Sequence, residues 1–89
     1  VTIGNRCFIG HGVCFVNDKF KGGKLGGNIA NWEKTTIGNN VLIGSNSTIL
    51  PVNICNNVII GSGSVVTKSI SKSGVYAGNP ARFIKRLKT

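Results

Sequence analysis

The 89-residue sequence predicts an all-β fold built from stacked coils of short strands. Two observations carry this prediction. Apolar residues recur every six positions, as at Ile3, Ile9 and Phe15, and a six-residue period fits neither a helix nor a simple hairpin. The composition is also typical of strands and tight turns, with 13 Gly, 11 Asn, 11 Ile and 9 Val against 4 Leu and no Met.

The six-residue period continues along the chain. One unit is a short strand plus a tight corner, where Gly or Asn tolerates backbone angles that other residues resist. A small or β-branched residue follows each apolar position four places later, at Cys7, Val13, Val41, Ser47, Val58 and Ser64. Three units close a triangular coil, and successive coils contact only their neighbours. We therefore expect three inward columns: Ile3 with Ile37 and Ile54, Ile9 with Ile43 and Ile60, and Phe15 with Ile49 and Val66.

Two breaks interrupt the period. Between Asp18 and Thr36 the pattern disappears into a Gly-rich stretch, which predicts a loop extruded from one corner at about residues 19–36. Long loops in compact domains usually carry function. The second break is the five-residue step from Ile49 to Ile54, which predicts a shortened corner at Pro51 with no chemistry of its own.

The C-terminal segment follows a weakening of the repeat after Thr67. We expect residues 1–76 to form the coils and the loop, and residues 77–89 to form a turn and a basic cap. Within that cap, ARFIKRLK is interpreted as a short helix, with Pro80 suited to its first turn. Because the period is already in phase at Val1, we also expect a piece of a longer chain.

The net charge of +9 is concentrated in two places. Four cations lie in or beside the predicted loop and four lie in the C-terminal tail: Lys19, Lys21, Lys24 and Lys34, then Arg82, Lys85, Arg86 and Lys88. This layout favours two local sites for anionic ligands over a continuous stripe for nucleic acid. No apolar run approaches the roughly 18 residues of a membrane span. We therefore expect neither nucleic acid nor a membrane as partner.

The three cysteines predict no disulfide framework. Cys7, Cys14 and Cys55 are odd in number and lack CxxC spacing, and a single His cannot complete a familiar zinc set. Their favoured interpretation is small apolar residues in a reducing compartment, which makes the cytoplasm the expected location. No metal site is expected.

The hexads IGNRCF, IGHGVC, IGNNVL, IGSNST and IGSGSV, followed by VVTKSI and YAGNPAR, resemble the hexapeptide-repeat acyltransferases. This resemblance implies a left-handed parallel β-helix. A narrower resemblance rests on GHGVCFVND, the Gly-rich loop, WEKTTIGNN and SNSTILPVNIC, and it is to nucleotide-sugar N-acetyltransferases that acylate 3-amino sugars. Phe20 and Lys21 stand where that group often carries Pro-Arg, which leaves the sugar open.

The resemblance implies a homotrimer with active sites between subunits and acetyl-coenzyme A (acetyl-CoA) as co-substrate. The implied activity is acetyl transfer to the amine of a nucleotide-linked amino sugar, in the synthesis of lipopolysaccharide or another cell-surface glycan. Two alternatives stay open: an O-acetyltransferase of a sugar or amino acid, of the serine, maltose or galactoside type, and a non-catalytic β-helix module for trimerisation or binding. A zinc carbonic anhydrase on the same helix is disfavoured by the single His.

Six residues are candidates for the acceptor side of the site. His11, the only His, is expected at a corner beside Ser45 and Ser62, as a base for the acceptor amine, as a group that only positions the acceptor, or as an exposed turn residue. The candidate substrate-binding residues are Asn17, Asp18, Lys19, Trp32 and Glu33. In the family pattern the Asn-Asp pair faces the acceptor, a loop lysine can meet a pyrophosphate, and Trp32 stacks on a sugar or anchors the loop.

The candidate cofactor-binding residues lie in the second half of the chain: Ser45, Ser62, Lys68, Gly78 and Arg82. Lys68 and Arg82 are placed to meet coenzyme A phosphates, and Gly78 allows close approach of the ligand. Acyl transfer needs a stabilised oxyanion. We expect a backbone N–H near Ser45 or Ser62 to supply that stabilisation, and the sequence leaves open which.

Overall fold

The computed structural model describes residues 1–17 and 34–87, and these contain eleven strands and no helix. In chain order the strands are β1 Thr2–Ile3, β2 Phe8–Ile9, β3 Cys14–Phe15, β4 Thr36–Ile37, β5 Val41–Ile43, β6 Thr48–Ile49, β7 Asn53–Ile54, β8 Val58–Ile60, β9 Val65–Val66, β10 Gly74–Gly78 and β11 Ala81–Lys85. The predicted all-β class is confirmed. Within these ranges, no helix has the length and apolar character needed to cross a membrane.

The strands form three sheets, which are the three faces of a triangular coil. The first face contains β1, β4 and β7, the second face contains β2, β5, β8, β10 and β11, and the third face contains β3, β6 and β9. Every pairing is parallel except that of β10 with β11. The first corner joins the first and second faces, the second corner joins the second and third faces, and the third corner leads to the next coil.

The three predicted inward columns are confirmed by the strand register. Ile3 pairs with Ile37 and Ile37 with Ile54, Ile9 with Ile43 and Ile43 with Ile60, and Phe15 with Ile49 and Ile49 with Val66. Two columns extend further than the sequence analysis expected. A parallel bridge adds Ile70 below Ile54, and Tyr76 pairs with Ile60. The six-residue step therefore persists from Ile70 to Tyr76, in a partial fourth coil.

The buried core lies in the second and third coils. Ile43 and Ile49 are fully buried and Ile60 is 1% exposed, whereas Ile3 in the first coil is 42% exposed. Backbone hydrogen bonds join the coils: Gly10 N–H donates to Ile43 O at 2.9 Å and Gly44 N–H to Ile60 O at 2.8 Å. A coil with neighbours on both sides buries its apolar residues, while an end coil buries them only in part.

Two corners repeat one backbone conformation in every coil. Residues with φ between 56° and 72° occupy the same register position at the first corner (Arg6, Asn40 and Asn57) and at the second corner (Gly12, Asn46 and Gly63). This left-handed region is costly for most L-residues and is accessible to Gly and Asn. Five of the six residues at these positions are Gly or Asn, so corner geometry accounts for part of the Gly and Asn content of the sequence.

The predicted C-terminal helix is wrong. Residues Ala81–Lys85 form β11, which pairs antiparallel with β10. The Phe83 ring packs edge-on against Tyr76 at 5.5 Å between centroids, and Lys72 Nζ lies 4.5 Å from the centroid of Phe83. Pairing in a hairpin satisfies backbone groups that an exposed edge strand would leave open, and it places Phe83 over Tyr76. The segment therefore caps the last coil as a strand.

The third corner is the irregular one. The predicted short step at Pro51 is present: Pro51 is buried, and Val52 O accepts the Thr36 N–H at 3.1 Å. A still shorter step separates Val66 from Ile70, which succeed each other in the inward columns. The predicted extruded loop falls almost wholly on residues 18–33, which lie outside the described residues.

Replacing Ile37 by Ala should lower the free energy of unfolding by about 2–5 kcal/mol, because the side chain is 2% exposed between Ile3 and Ile54. The neighbouring Thr36→Ala, on the exposed side of the same strand, should change it by less than about 1 kcal/mol. Urea unfolding followed by circular dichroism measures both values. Equal losses would contradict the inward column.

Candidate functional site

Four of the candidate residues lie in one column at the second corner. His11, Ser45 and Ser62 follow the paired residues Ile9, Ile43 and Ile60 by two positions. Hydrogen bonds confirm that this register continues through the corner, since Asn46 N–H donates to His11 O at 2.8 Å and Gly63 N–H donates to Ser45 O at 2.9 Å.

The same register brings Gly78 into the set. Because Tyr76 pairs with Ile60, Gly78 lies next to Ser62. We call His11, Ser45, Ser62 and Gly78 the corner column. Three of them are exposed and Ser45 is half-buried, so the column faces outward.

The first and second corners differ in whether their outward backbone N–H groups are hydrogen-bonded. At the first corner, amide side chains cover the outward N–H groups. Asn5 N–H donates to Asn39 Oδ1 at 2.8 Å, and Asn39 N–H donates to Asn56 Oδ1 at 2.7 Å. Each coil therefore covers the donor of the coil before it, and this corner offers few free backbone donors to a ligand.

At the second corner the equivalent donors are open. The N–H groups of His11, Ser45 and Ser62 donate to no atom of residues 1–17 or 34–87. Glycine is needed for the close stacking of these peptides on one another. A Cβ added at Gly44 would lie 2.5 Å from Ser62 N, and one at Gly10 would lie 2.7 Å from Ser45 N. The corner column therefore presents a line of hydrogen-bond donors to carbonyl or phosphate oxygens.

An apolar column runs beside the corner column on the outer side of the second face. It consists of Phe8, Leu42, Ile59 and Val75, which are in register with one another. Phe8 is 61% exposed and Leu42 is 42% exposed. The outer side of the first face is polar at the matching level, with Thr2, Thr36 and Asn53. The second face alone thus combines an outward apolar stripe with open backbone donors.

Positive charge lies at the cap end of this site. The sequence carries 11 Lys and Arg against 2 Asp and Glu, and both acids lie outside the described residues. Arg82 pairs with Ala77, the residue before Gly78, so it lies at the end of the corner column. Lys85 pairs with Val75, so it lies next to the end of the apolar column. The cap end of the site therefore favours an anionic group such as a phosphate.

The other candidate residues lie elsewhere. Asn17 and Lys68 are exposed at the third corner, away from His11 along the coil. Asp18, Lys19, Trp32 and Glu33 lie outside the described residues, and their roles stay predictions. Among described residues, no group of three or more His, Cys, Asp or Glu could hold a metal ion.

The sequence analysis did not single out two buried hydroxyls and a tyrosine near the site. Ser47 and Ser64 are fully buried beneath the second corner, where their hexad position indicated only a small inward residue. Tyr76 lies at the base of its inward column, and its hydroxyl donates to Lys72 O at 2.7 Å. Burial raises the pKa of Tyr76 above its usual value, and the nearby Cys55 adds to the rise.

The family model for the hexapeptide repeat of succinyl-transferase matches residues 1–28 and 34–68, which is most of the chain. The chain belongs to the hexapeptide-repeat acyltransferase family. Its coils are those of a left-handed parallel β-helix, as the resemblance implied. Protein CapG of Staphylococcus aureus is 46% identical over 93 residues, an alignment that covers 98% of this chain and 53% of that protein.

Two solved structures are similar across nearly the whole chain. The polysialic acid O-acetyltransferase OatWY is 36% identical with a TM-score of 0.78, over 94% of this chain and 42% of that one. A variant of AntD, an N-acyltransferase from Bacillus cereus solved with dTDP and coenzyme A, is 28% identical with a TM-score of 0.67, over 97% of this chain and 53% of that one. The chain thus spans about half the length of these relatives, or less.

Replacing Gly44 by Ala should lower the free energy of unfolding by about 1–3 kcal/mol, because its Cβ would press on Ser62 N and on Ser62 Oγ at 2.7 Å. Gly63→Asn should cost less than about 1 kcal/mol, because nothing lies within 4 Å of its Cβ position and Asn46 adopts the same left-handed conformation one coil earlier. Urea unfolding of both variants tests the contrast. A tolerated Gly44→Ala would show that the corner does not need this close approach.

Proposed function

We propose that this protein is an acetyl-CoA-dependent N-acetyltransferase that acts on the amine of a nucleotide-linked amino sugar. The observation that carries the proposal is the corner column, where open backbone donors stand in line with His11 and end at Arg82. Family membership supports the acyltransferase class. The N-acyltransferase AntD, solved with dTDP and coenzyme A, supports both the donor and the class of acceptor.

The proposed reaction has three stages. The acceptor amine attacks the thioester carbonyl, the carbonyl oxygen gains negative charge, and the carbon–sulfur bond then breaks to release the coenzyme thiolate, which takes up a proton. Backbone N–H groups of the corner column stabilise the charged oxygen. His11 accepts the proton that the amine loses. Its backbone is held by the bond from Asn46 N–H to His11 O, at 2.8 Å.

Coenzyme A is proposed to bind at the cap end. Arg82 would meet its phosphates, with Lys68 at the third corner as a second candidate, and Gly78, which has no side chain, would allow the ligand to approach the backbone. The pantetheine arm would follow the second corner, beside the apolar column, and bring the thioester to the level of His11. The balance of 11 Lys and Arg against 2 Asp and Glu in the sequence favours a polyanion at this surface.

The acceptor is proposed to lie at the end of the column that His11 occupies. Asn17 and Asp18 would bind the sugar, Lys19 the pyrophosphate, and Trp32 and Glu33 would close over the acceptor. These assignments rest on the family resemblance of GHGVCFVND and WEKTTIGNN. The dTDP bound to AntD is consistent with a nucleotide-linked substrate.

The assembly is proposed to be a homotrimer, with each active site between two subunits. The apolar column on the outer side of the second face supports this proposal. A neighbouring subunit packed there would cover apolar surface and would form one side of a cleft along the corner column. The three cysteines are free, which suits a reducing compartment such as the cytoplasm.

A second candidate function is O-acetylation of a sugar. OatWY, the polysialic acid O-acetyltransferase, favours it with 36% identity and a TM-score of 0.78. A hydroxyl acceptor depends on a base more strongly than a neutral amine does, because a hydroxyl must lose its proton as it attacks. The two functions therefore differ in their demand on His11.

Calorimetric titration should show saturable binding of acetyl-CoA, followed by binding of a thymidine or uridine diphosphate amino sugar in its presence. The purified oligomer is titrated first with the coenzyme and then with each sugar, and the matching sugar without its amine is the control. Binding of the coenzyme alone would move the acceptor to the O-acetylation alternative. No binding of either ligand would contradict the acyltransferase proposal.

Replacing His11 by Ala should lower kcat by about 100-fold or more while the Kd for acetyl-CoA stays within about twofold, because general-base catalysis contributes roughly 10²–10⁴-fold. Turnover is followed by release of the coenzyme thiol. Arg6→Ala, an exposed change in the same coil at the other corner, should leave kcat unchanged. An unaltered kcat in the His11 variant would mean that this residue has only a structural role in the turn. It would favour acceptors that enter already deprotonated.

A further inference from the structure

Two buried serines stand out in a core that is otherwise almost wholly aliphatic. Ser47 and Ser64 are both 0% exposed, and each occupies the inward position four residues after an apolar column residue. The corresponding position in the first coil is Val13. Burying a hydroxyl is unfavourable unless it is hydrogen-bonded, so the partners of these serines indicate what the hydroxyls hold.

Both hydroxyls converge on one backbone carbonyl. Ser64 Oγ donates to Gly61 O at 2.6 Å, and Ser47 Oγ donates to the same oxygen at 3.1 Å. The serines are also acceptors, since Ser64 N–H donates to Ser47 Oγ at 3.3 Å and Gly78 N–H donates to Ser64 Oγ at 3.3 Å. The pair thus ties the carbonyl of Gly61 and the N–H of Gly78 into one buried network.

The orientation of the Gly61 carbonyl fixes the orientation of the next N–H. In a trans peptide the C=O and N–H bonds point in opposite directions. Because the Gly61 oxygen is held inward by the serines, the Ser62 N–H points outward, where no described atom accepts it. The network therefore aims one donor of the corner column at the ligand side.

The Gly10–His11 and Gly44–Ser45 peptides of the same corner lack this combination. No side chain of the described ranges donates to Gly44 O, above which the first coil carries Val13, so the Ser45 peptide has no such anchor. At the first corner, Cys7 Sγ donates to Gly38 O at 3.1 Å, but Asn56 Oδ1 covers the Asn39 N–H that follows. Among the peptides that lead into His11, Ser45 and Ser62, the Gly61–Ser62 peptide alone joins a carbonyl bonded by side chains to an open N–H.

We propose that Ser47 and Ser64 are positioning residues that hold the Gly61–Ser62 peptide so that Ser62 N–H donates to a carbonyl oxygen of the acyl-coenzyme A substrate. This inference rests on the proposed function and assigns Ser62, rather than Ser45, as the prepositioned donor. The carbonyl is that of the thioester or that of an amide in the pantetheine arm. A peptide held before binding loses little freedom on binding, which favours affinity.

Ser64→Ala should weaken acetyl-CoA binding by about threefold to tenfold, the range expected when one hydrogen bond is compromised. Ser64→Cys should restore most of the affinity, because this protein already uses a thiol to hold a corner carbonyl at Cys7. Titration of each variant with acetyl-CoA and with coenzyme A separates the two carbonyls. Loss with both ligands assigns the amide of the arm, and loss with acetyl-CoA alone assigns the thioester.

Val66→Ala is the matched control. Val66 is 1% exposed in the same coil, and its truncation leaves a cavity without touching the serine network. If Ser64→Ala loses no more affinity than Val66→Ala, the serines are only structural and the proposal is overturned. If the wild-type protein binds neither ligand, the proposed function itself fails.

Hydrogen exchange gives a readout other than affinity. Bound acetyl-CoA should slow exchange of the Ser62 amide in the wild-type protein at least tenfold, and much less in Ser64→Ala. Unchanged exchange at Ser62 in the wild-type complex would show that this N–H does not meet the ligand and would overturn the proposal.

Discussion

The parallel hydrogen bonds between successive coils are the constraint on which the rest of this structure depends. Each of the three complete coils contributes strands of only two or three residues to a face, which would not be stable alone. Stacking in strict register gives every short strand partners and brings like residues into columns. Because the register is shared by all three faces, the same constraint that builds the core also lines up His11, Ser45 and Ser62 on the outside.

The two regular corners share one backbone conformation but differ in whether their outward N–H groups are hydrogen-bonded. At the first corner, asparagine side chains accept hydrogen bonds from the outward N–H groups. This stiffens the corner and leaves few backbone donors for a ligand. The second corner has short side chains at the equivalent places, and buried hydroxyls hold its backbone from inside. A difference of a few side chains on an unchanged backbone is thus enough to separate a supporting corner from a binding corner.

The columns and the class of fold could be predicted from the sequence because they follow from periodicity alone, as the pairing of Ile9 with Ile43 and Ile60 shows. The strand β11 could not, because ARFIKRLK carries helix-compatible local preferences and its pairing depends on contact with Tyr76. The stacking of His11 with Ser45 and Ser62 was predicted, whereas Gly78 was predicted only as a cofactor-binding residue and not as a member of that column. The serine network was not, since a hexad position that accepts Val, Cys or Ser does not reveal that two hydroxyls meet at one carbonyl.

The irregularity of the third corner has a consequence for how such proteins diversify. Its steps vary from coil to coil, from the long stretch between Phe15 and Ile37 to the short step at Pro51, while the other two corners keep their spacing. Segments can be exchanged or lengthened there without shifting any column, because register is set by the faces on either side. The fold thus separates a corner of variable length, where loops can be inserted, from a corner of constant spacing that carries the donors.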